Sequence, residues 1–383
     1  MGEQPRTILA ENVAQQDLCI RRRKTRSLQC FFDVHGSIMP CMTIGIDCRF
    51  ASTQSGLGRY TRELVRHLVQ RNDRVKYVLF VNRQDPCTWL PSPLPAHCKK
   101  VKVSFKHYSL AEQILFPWKL LRLNLFFAPH FNVPLFCPVP FVATIHDLIL
   151  HRYPNQASKL KRKAYLKVMQ HTVRSAKSLI AVSRFTASEL TKQYGTVAKN
   201  KLRVVHEAPS PEFHRKAAAT SAPVLKKYGL KKPFFLYVGN AKEHKNVQML
   251  IDAYQSLDST ETELVLVTGG KEADALKLCD GVRILRDVPE ADLCGLYFFT
   301  VCFVTASLYE GFGLSVIEAA ACGSPVIITD CGALPEIAPM GARIVEPTVE
   351  SIADALREPP PPSDPGKLKT WDEVAAETFE VLR

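Results

Sequence analysis

Two carboxylates eight residues apart, Glu310 and Glu318, frame the segment with the clearest potential for chemistry. A glycine-containing turn and the start of an apolar helical pattern lie between them, so Glu318 shares a helical face with Leu314, Ile317 and Ala321. A carboxylate on an apolar face is costly unless a partner hydrogen-bonds it. The pattern leaves two interpretations open. Glu318 is either a buried, internally paired glutamate or a ligand carboxylate beside a helix N-terminus, whose free amides attract anions.

Two more loops between a strand and a helix have residues that suit an anionic ligand. Gly56 and Gly58 allow a close approach of the backbone to a ligand, although a tight turn explains them equally well. The dinucleotide-binding pattern is excluded because Thr61 stands where its third glycine is needed. Lys245, in loop 239–246, can neutralise charge on a diphosphate, but a lysine at a loop tip is ordinarily only solvated.

His146 ends an apolar strand, at the edge where ligands of open α/β sheets bind. A lone histidine at such a position is more often structural than functional. Asp147 beside it either orients the site or caps the next segment. Weaker candidates, each also explicable as turn chemistry, are Ser183-Arg184, Glu207 and Gly269-Gly270.

Residues 307–336 closely resemble the signature of retaining glycosyltransferases of family 4, which have the two-domain GT-B fold. The matching segments are Glu310-Gly311-Phe312-Gly313-Leu314, Glu318-Ala319, Gly323-Ser324-Pro325-Val326-Ile327 and Pro335-Glu336. The resemblance implies that Glu310 lies near the donor sugar and that Glu318 holds the nucleotide ribose. It also implies that the amides from Gly311 to Leu314 bind the diphosphate and sugar together with Lys245. Ser315, which is proline in many relatives, also suits a first helical turn.

The N-terminal half resembles the same family in two motifs. Gly56, Gly58 and Arg59 match a loop that meets the donor diphosphate and the acceptor. His146, within TIHDL, matches a histidine that contacts the donor sugar. The resemblance therefore implies that closure of two domains brings these residues to the donor.

One basic pair of the family is altered in this chain. Lys245 matches its second member, whereas Asn240 stands in place of the first, an arginine. Lys242 is the candidate replacement, but a lysine is a point charge without the guanidinium fork. This departure and the shortened tail motivate an alternative function, in which a GT-B protein binds a nucleotide sugar or glycan with weak turnover or none. The intact Glu310, Glu318, Lys245 and His146 argue against that alternative.

The resemblance implies a retaining, metal-independent hexosyltransferase in polysaccharide biosynthesis. The donor would be a nucleoside-diphosphate sugar and the acceptor a glycan or lipid-linked glycan. Mannose is slightly preferred, because TIHDL and YVGNxKxHKN resemble bacterial mannosyltransferases; GDP-mannose and UDP-glucose are both candidate donors. No cofactor or metal is expected. A hydrolase or epimerase on the same fold is a lesser alternative.

Composition and net charge limit the classes of partner that the protein is expected to bind. The 383 residues are 46% apolar and 23% charged, which is ordinary for a soluble protein of two domains, and the net charge of +13 permits an anionic partner. Segment 152–177 contains eight lysines or arginines and no acid. A solvated helix face is the first interpretation and peripheral contact with an anionic membrane the second. Nucleic acid is not expected, because no recognition motif accompanies the charge.

Twelve cysteines without CxxC or metal-binding spacing, and no secretory signal pattern, predict free thiols in the cytoplasm. At most, the protein would be peripheral at the inner membrane face. Residues 124–145 have no charged side chain and are long enough to span a bilayer. Four prolines in this stretch predict a strand, a loop and a strand instead.

Apolar strands that alternate with helices predict an α/β protein with two doubly wound, Rossmann-like domains. That these domains face each other across a cleft, as in GT-B, follows from the resemblance. The predicted divisions are an N-terminal extension (1–41), an N-terminal domain on the acceptor side (42–208), a linker (209–223), a C-terminal nucleotide-sugar domain (224–357) and a proline-rich segment with a closing helix (358–383). The extension is either disordered or upstream of a natural start at Met42. By resemblance the closing helix returns to the first domain, through a contact that the shortened tail is expected to loosen.

Overall fold

The computed structural model describes residues 31–32, 38–39, 42–71, 74–215, 221–258, 260–366 and 368–383. Most of the predicted extension 1–41 therefore lies outside the described residues, as do residues 216–220 of the predicted linker. A two-residue antiparallel pair, β1 (Phe31–Phe32) and β2 (Ile38–Met39), precedes the first domain.

The first domain is a seven-stranded, fully parallel sheet flanked by helices. Its strands are β3 (Thr43–Asp47), β4 (Lys76–Asn82), β5 (Cys98–Val103), β6 (Leu125–Ala128), β7 (Phe141–Ile145), β8 (Ser178–Ala181) and β9 (Leu202–Val204), in the order β5-β4-β3-β6-β7-β8-β9. Its helices are α1 (Gly56–Gln70), α2 (Leu110–Leu120), α3 (Ile149–Arg152), α4 (Lys159–Ser175), α5 (Arg184–Tyr194) and α6 (Thr196–Lys199).

The second domain repeats this architecture with a six-stranded parallel sheet. Its strands are β10 (Phe234–Val238), β11 (Glu263–Val267), β12 (Val282–Leu285), β13 (Cys302–Val304), β14 (Val326–Thr329) and β15 (Arg343–Val345), in the order β12-β11-β10-β13-β14-β15. Its helices are α7 (Pro223–Lys227), α8 (Val247–Gln255), α9 (Lys271–Asp274), α10 (Glu290–Phe299), α11 (Leu314–Cys322), α12 (Leu334–Ile337) and α13 (Val349–Arg357). The prediction of two doubly wound domains is confirmed.

Each sheet reverses its strand order at one point, between β3 and β6 in the first domain and between β10 and β13 in the second. Ligands of open α/β sheets bind in the crevice outside the carboxyl ends of the strands at such a switch point. The loops after β3, β10 and β13 contain most of the predicted site residues, so the topology brings three separate sequence motifs to two facing sheet edges.

Residues 124–145 form β6, a loop and β7, as the four prolines predict. Both strands are buried along their whole length, which explains the run of uncharged residues without a lipid environment. Within the described part of the chain, no helix is both long and apolar enough to cross a membrane.

The closing helix, α14 (Trp371–Leu382), crosses back to the first domain. A capping box between Thr370 and Glu373 fixes its start. Trp371, Val374 and Leu382 are buried in the core that also contains β3 and α1. The segment before this helix is short, but the helix nevertheless packs against the first domain.

Candidate active site

A cavity of about 590 Å³ lies between the carboxyl ends of the two sheets. Most of the predicted site residues line it: Gly56, Arg59, His146, Lys245, Glu310, Gly311, Phe312, Gly313, Leu314 and Glu318. Gly58 and Lys242 are absent from the described lining. The motifs chosen from the sequence thus converge on one place, although Arg59 and Glu318, for example, lie 259 residues apart along the chain.

Contacts among its own residues fix the conformation of the glycine loop in the first domain. The Ser55 hydroxyl accepts a hydrogen bond from the Gly58 amide (3.3 Å) and caps α1. A Cβ at position 58 would lie 2.0 Å from the carbonyl oxygen of Thr53, so only glycine fits this turn. Gly58 therefore shapes the loop that places Gly56 and Arg59 at the cavity, and its own contact with a donor stays a prediction.

Glu310 and Lys245 form an ion pair at the floor of the cavity. Both belong to the second domain and both side chains are largely buried, with 14% and 18% exposed. The Ser307 hydroxyl donates a second hydrogen bond to the Glu310 carboxylate (3.0 Å). The Glu310 backbone is held as well, because its carbonyl oxygen accepts from the Ala333 amide (2.9 Å). Glu310 and Lys245 are therefore fixed against each other within one domain.

Glu318 is buried on α11, with 1% of its side chain exposed, and pairs with Arg59 from the other domain. The Tyr297 hydroxyl donates a hydrogen bond to its other oxygen (3.3 Å). Burial raises the pKa of the Glu318 carboxyl, and the Arg59 guanidinium only partly offsets that rise. Glu318 is thus a buried, paired glutamate and also lines the cavity, so the two interpretations of its sequence pattern are compatible.

Arg59 holds two acids of the second domain at once. Besides Glu318, it contacts Glu290 at the start of α10 (3.2 Å), which Arg62 also contacts (2.7 Å). Burial acts to lower the pKa of Arg59, but the two carboxylates outweigh burial and raise it, so the guanidinium stays charged. The resemblance implied that Arg59 meets the donor diphosphate. In the structure it pairs with Glu318, the carboxylate assigned to the ribose, and its contact with the diphosphate stays a prediction.

Both ring nitrogens of His146 have protein partners. Nδ1 lies 3.1 Å from the Glu207 carboxylate, and Nε2 donates to the carbonyl oxygen of Pro129 (2.9 Å). Burial acts to lower the pKa of His146, but the hydrogen bond and charge of Glu207 outweigh it and raise the pKa. His146 is therefore held in place at the cavity wall by both ring nitrogens, and its contact with the donor sugar stays a prediction. Glu207, a weak candidate from sequence, is its partner.

The main chains of the two domains touch beside His146. A Cβ at Gly311 would lie 1.8 Å from the carbonyl oxygen of His146, so glycine alone allows this approach. The Ser183 hydroxyl donates to the Gly311 carbonyl oxygen (2.6 Å), and the Thr186 hydroxyl lies within 3.2 Å of both carbonyl oxygens. Gly311 is therefore needed for contact between the domains, a role that its place in the signature did not reveal.

Glu336, at the end of the signature, makes another contact between the domains. Its carboxylate accepts hydrogen bonds from the backbone amides of Arg184 (2.8 Å) and Phe185 (3.0 Å), at the N-terminus of α5. His206 lies 2.7 Å from the same carboxylate. An acidic side chain is favourable at the positive end of a helix, so Glu336 fastens the second domain to the first.

Three further predicted residues have local roles. The Asp147 carboxylate accepts from the Ile149 amide (2.9 Å), so it holds the turn into α3. Lys242 is exposed and its backbone amide donates to the Asn240 side chain (3.2 Å). Asn240 itself lines the cavity. At the position of the family arginine, the cavity is therefore lined by the neutral amide of Asn240, and Lys242 does not line it.

Two Rossmann-like domains that face each other across a cleft at their switch points have the arrangement of the GT-B fold. The sequence model described as "Glycosyltransferase Family 4" matches residues 54–212, and that described as "Glycosyl transferases group 1" matches residues 224–359. The chain therefore belongs to glycosyltransferase family 4, with each domain matched by its own model, and the predicted membership is confirmed.

Individual relatives agree with this assignment. The chain is 28% identical to O-antigen chain mannosyltransferase B of Escherichia coli over 327 residues, which cover 78% of this chain and 85% of that protein. Among solved structures, sucrose-phosphate synthase of Thermosynechococcus elongatus has a TM-score of 0.65 at 18% identity, over 89% of this chain and 94% of that one. Anabaena HepE in complex with UDP-glucose has a TM-score of 0.63 at 16% identity, over 89% and 100%. These two structures support the fold.

No cluster of three or more His, Cys, Asp or Glu side chains that could hold a metal ion occurs among the described residues. The described cysteines are free thiols, in line with their scattered spacing.

Proposed function

We propose that this glycosyltransferase moves a hexose, with mannose preferred, from a nucleoside-diphosphate sugar to a glycan or lipid-linked acceptor in polysaccharide biosynthesis, and retains the anomeric configuration. The observation that carries the proposal is the buried carboxylate of Glu318 in the same cavity as the Glu310–Lys245 pair. The relative named as a mannosyltransferase supports the choice of sugar, and HepE with bound UDP-glucose supports the class of donor. The free thiols fit a reducing cytoplasm.

The nucleotide end of the donor would bind at Glu318. An ionised carboxylate has about four lone-pair sites for hydrogen bonds. Arg59 and Tyr297 each use one oxygen of Glu318, so sites remain for the two ribose hydroxyls. Donor binding would therefore either share Glu318 with Arg59 or displace it, and in both cases it would act on the contact between the domains.

The diphosphate would bind at the start of α11. This helix begins after Gly313, which has a φ of +113°, and within the described chain no side chain caps it. The Val316 amide donates to the Gly313 carbonyl oxygen (3.0 Å), whereas no partner is described for the Leu314 and Ser315 amides. These two amides can bind an anion at the positive end of the helix. Lys245 would supply the balancing charge from the opposite loop. As the sugar leaves, negative charge grows on the diphosphate, and fixed donors and cations that stabilise it are the main source of catalysis.

The sugar would lie between Glu310 and His146. Lys245 and Ser307 keep the Glu310 carboxylate oriented, and Glu207 holds the His146 ring in place. In same-face attack the acceptor hydroxyl approaches from the side of the leaving diphosphate, which can take up the hydroxyl proton. The C–O bond to the diphosphate breaks as the new glycosidic bond forms, so no separate nucleophile is required.

A donor screen tests this proposal. Calorimetric titrations with GDP-mannose, UDP-glucose, UDP-N-acetylglucosamine and the free diphosphates should give saturable binding of one nucleotide class. Glu318→Ala should abolish that binding, whereas the matched control Glu290→Ala should leave it within a few-fold, because Glu290 is about half exposed at the cavity rim. Absence of binding for every donor would contradict the proposal.

The alternative, a nucleotide-sugar or glycan binding protein with weak turnover, rests on Asn240 at the position of the family arginine. It predicts the same titration but little product. The number of glycosidic bonds formed per protein molecule, measured with radiolabelled donor and a membrane extract as acceptor, separates the two: multiple turnovers support the transferase, and fewer than one supports the binding protein.

A further inference from the structure

Helix α2 presents an unusual apolar surface to solvent. Its outer side chains and the residue that follows it are exposed by between 50% and 82%: Leu110, Ile114, Leu115, Trp118 and Leu121. Phe136, in the loop after β6, is also exposed, by 68%. Single exposed apolar residues are common, but a contiguous set of large ones marks a surface that binds something. We call these six residues the α2 face.

The helix cannot bury this face by rotating. Its inner side already packs Phe116 and Leu120 into the core, both fully buried. Glu112, also on the inner side, pairs with the buried Arg49 and accepts from Asn132 (2.9 Å). Rotation would expose these side chains and break the ion pair, which is costly for buried charges. The α2 face is therefore a fixed part of the folded protein.

The surroundings of the α2 face are basic. Between residues 99 and 146 the one acid is Glu112, which is buried against Arg49, whereas Lys106, Lys119 and Arg122 are exposed. Segment 152–177, most of which is α4, adds eight basic residues and no acid. Exposed negative charge is thus absent from these described segments, so the surface is complementary to an anionic partner.

The α2 face and α4 flank the same loop. The Leu135 amide donates to the Gln113 side chain of α2 (2.8 Å). On the other side, the Thr172 hydroxyl of α4 donates to the carbonyl oxygen of Phe131 (2.8 Å). The apolar face and the basic helix therefore adjoin through residues 131–136, and apolar side chains next to lysines are the pattern of helices that lie in a membrane interface.

We propose that the α2 face enters the headgroup region of an anionic lipid bilayer, while the lysines and arginines of α4 contact lipid phosphates. A second copy of this chain is a poorer occupant, because pairing of this face with itself would bring two basic surfaces together without acids to neutralise them. The sequence pointed only to the basic segment as a membrane contact. The structure adds the apolar half of the surface and its place on the acceptor-side domain.

Docking in this way deepens the proposed function, on which this consequence rests. The N-terminal end of α2 reaches the cleft, since the Tyr108 hydroxyl lies 3.4 Å from the His130 ring and His130 lines the cavity. A lipid-linked acceptor held in the bilayer would therefore meet the cleft at its acceptor side.

The three tryptophans provide a direct test. Trp118 is 72% exposed on the α2 face, whereas Trp89 and Trp371 are buried. Vesicles of phosphatidylethanolamine and phosphatidylglycerol should shift the fluorescence of the wild-type protein to the blue, and brominated lipids should quench it. Neutral phosphatidylcholine vesicles should do so much more weakly, and added salt should reduce the response to anionic vesicles. Vesicle binding without a change in Trp118 fluorescence would overturn the proposal.

Variants that keep Trp118 measure the contribution of the face. Ile114→Gln with Leu115→Gln should weaken binding to the anionic vesicles by about tenfold or more, since each side chain loses apolar burial. The control, Leu278→Gln with Met340→Gln, changes two similarly exposed apolar residues of the second domain and should bind as the wild type does. Equal binding by both double variants would contradict the proposal. The proposal would also be contradicted if the wild-type protein does not bind vesicles but dimerises through Ile114 and Leu115.

Donor affinity of the same variants separates this proposal from the proposed function. Ile114→Gln with Leu115→Gln should bind the nucleotide sugar as the wild type does, because neither residue lines the cavity. If the wild type binds no donor, the proposed function fails, whereas the vesicle result stands on its own.

Discussion

The cleft contains two carboxylate–cation pairs, one formed within a single domain and the other formed between the two domains. Glu310 and Lys245 both belong to the second domain, and each is partly exposed to the cavity. Glu318 and Arg59 belong to different domains, and Glu318 is almost completely buried. A pair within one domain is formed whenever that domain is folded. A pair between domains also depends on how the domains are arranged.

This difference suggests a division of labour. The Glu310–Lys245 pair is preorganised, which suits groups that must meet charge as it develops during the reaction. The Glu318–Arg59 pair links the nucleotide site to domain closure, because whatever binds Glu318 alters a contact that holds the two domains together. The four predictions below test this contrast, from the largest expected effect to the smallest.

Lys245→Ala should reduce turnover by roughly 10²–10³-fold, the usual effect of removing one group that stabilises developing charge. Its control is Lys242→Ala in the same loop, which is exposed and outside the described cavity lining and should leave turnover close to that of the wild type. Steady-state rates with the donor found in the screen would measure both. An equal loss in the two variants would show that the loop, not the Glu310–Lys245 pair, matters.

Arg59→Ala should destabilise the protein by about 3 kcal/mol at neutral pH, because it leaves the buried Glu318 carboxylate without a cation. Burial already raises the pKa of Glu318, so this deficit should grow as the pH rises through that pKa and shrink as the pH falls and the carboxyl takes up a proton. Thermal unfolding as a function of pH measures this. Arg62→Ala, which leaves Glu318 paired, should cost much less; a similar loss would argue against a special role for Arg59.

His146→Gln tests a pair within the first domain and should cost about 2 kcal/mol, the effect of losing a hydrogen bond to a charged group. Because the pKa of His146 is raised above 6.5 in the fold, its stabilisation is fully present below pH 6.5 and is lost as the pH rises through the folded pKa. The difference in unfolding free energy between wild type and variant should therefore be greatest in acid. Glu207→Gln should show the same trend. A difference in unfolding free energy that does not change with pH, for either variant, would contradict the pairing.

Glu336→Gln should have the smallest effect, about 1 kcal/mol, since it removes a charge from the N-terminus of α5 but keeps a hydrogen-bond acceptor there. Glu380→Gln, in an exposed pair with Arg383, is the control and should change the melting temperature very little. If Glu336→Gln also leaves the melting temperature unchanged, this contact adds nothing to the docking of the domains.

Much of the fold could be predicted from local patterns. The pattern of the sequence predicts helices over 159–175 and 184–194, and these coincide with α4 and α5. The apolar runs of the central strands, such as β6 and β7, correspond to buried strands. The apolar spacing of Tyr60, Leu64 and Leu68 predicts a helix over 59–71. In the structure this helix begins earlier, at Gly56, because Ser55 caps it and the glycines lie within its first turn. Local patterns suffice for such elements, because burial on both faces of a parallel sheet leaves continuous apolar runs.

The partners of the site residues could not be predicted in this way. Arg59 meets Glu318 across 259 residues of sequence, and the Tyr297 hydroxyl reaches Glu318 from α10, for which no site role was predicted. Glu336 was noticed as part of the signature, but its contact with α5 appears only once both domains are placed. Apolar spacing carries no information about which distant side chain satisfies a buried charge. Glu290, an acid in the first turn of α10 and so at the positive end of a helix, is a local signal that could have indicated a partner for Arg59.

One set of titrations tests the division of labour most directly. A nucleoside diphosphate and its unphosphorylated nucleoside, guanosine or uridine according to the screen, would be titrated into the wild type, Lys245→Ala and Glu318→Gln. If Glu318 binds the ribose and Lys245 the diphosphate, Glu318→Gln weakens both ligands alike, by about 10–100-fold, whereas Lys245→Ala weakens the diphosphate and leaves the nucleoside unchanged. Equal losses for both ligands in both variants, or a Glu318→Gln variant with wild-type affinity, would contradict the account.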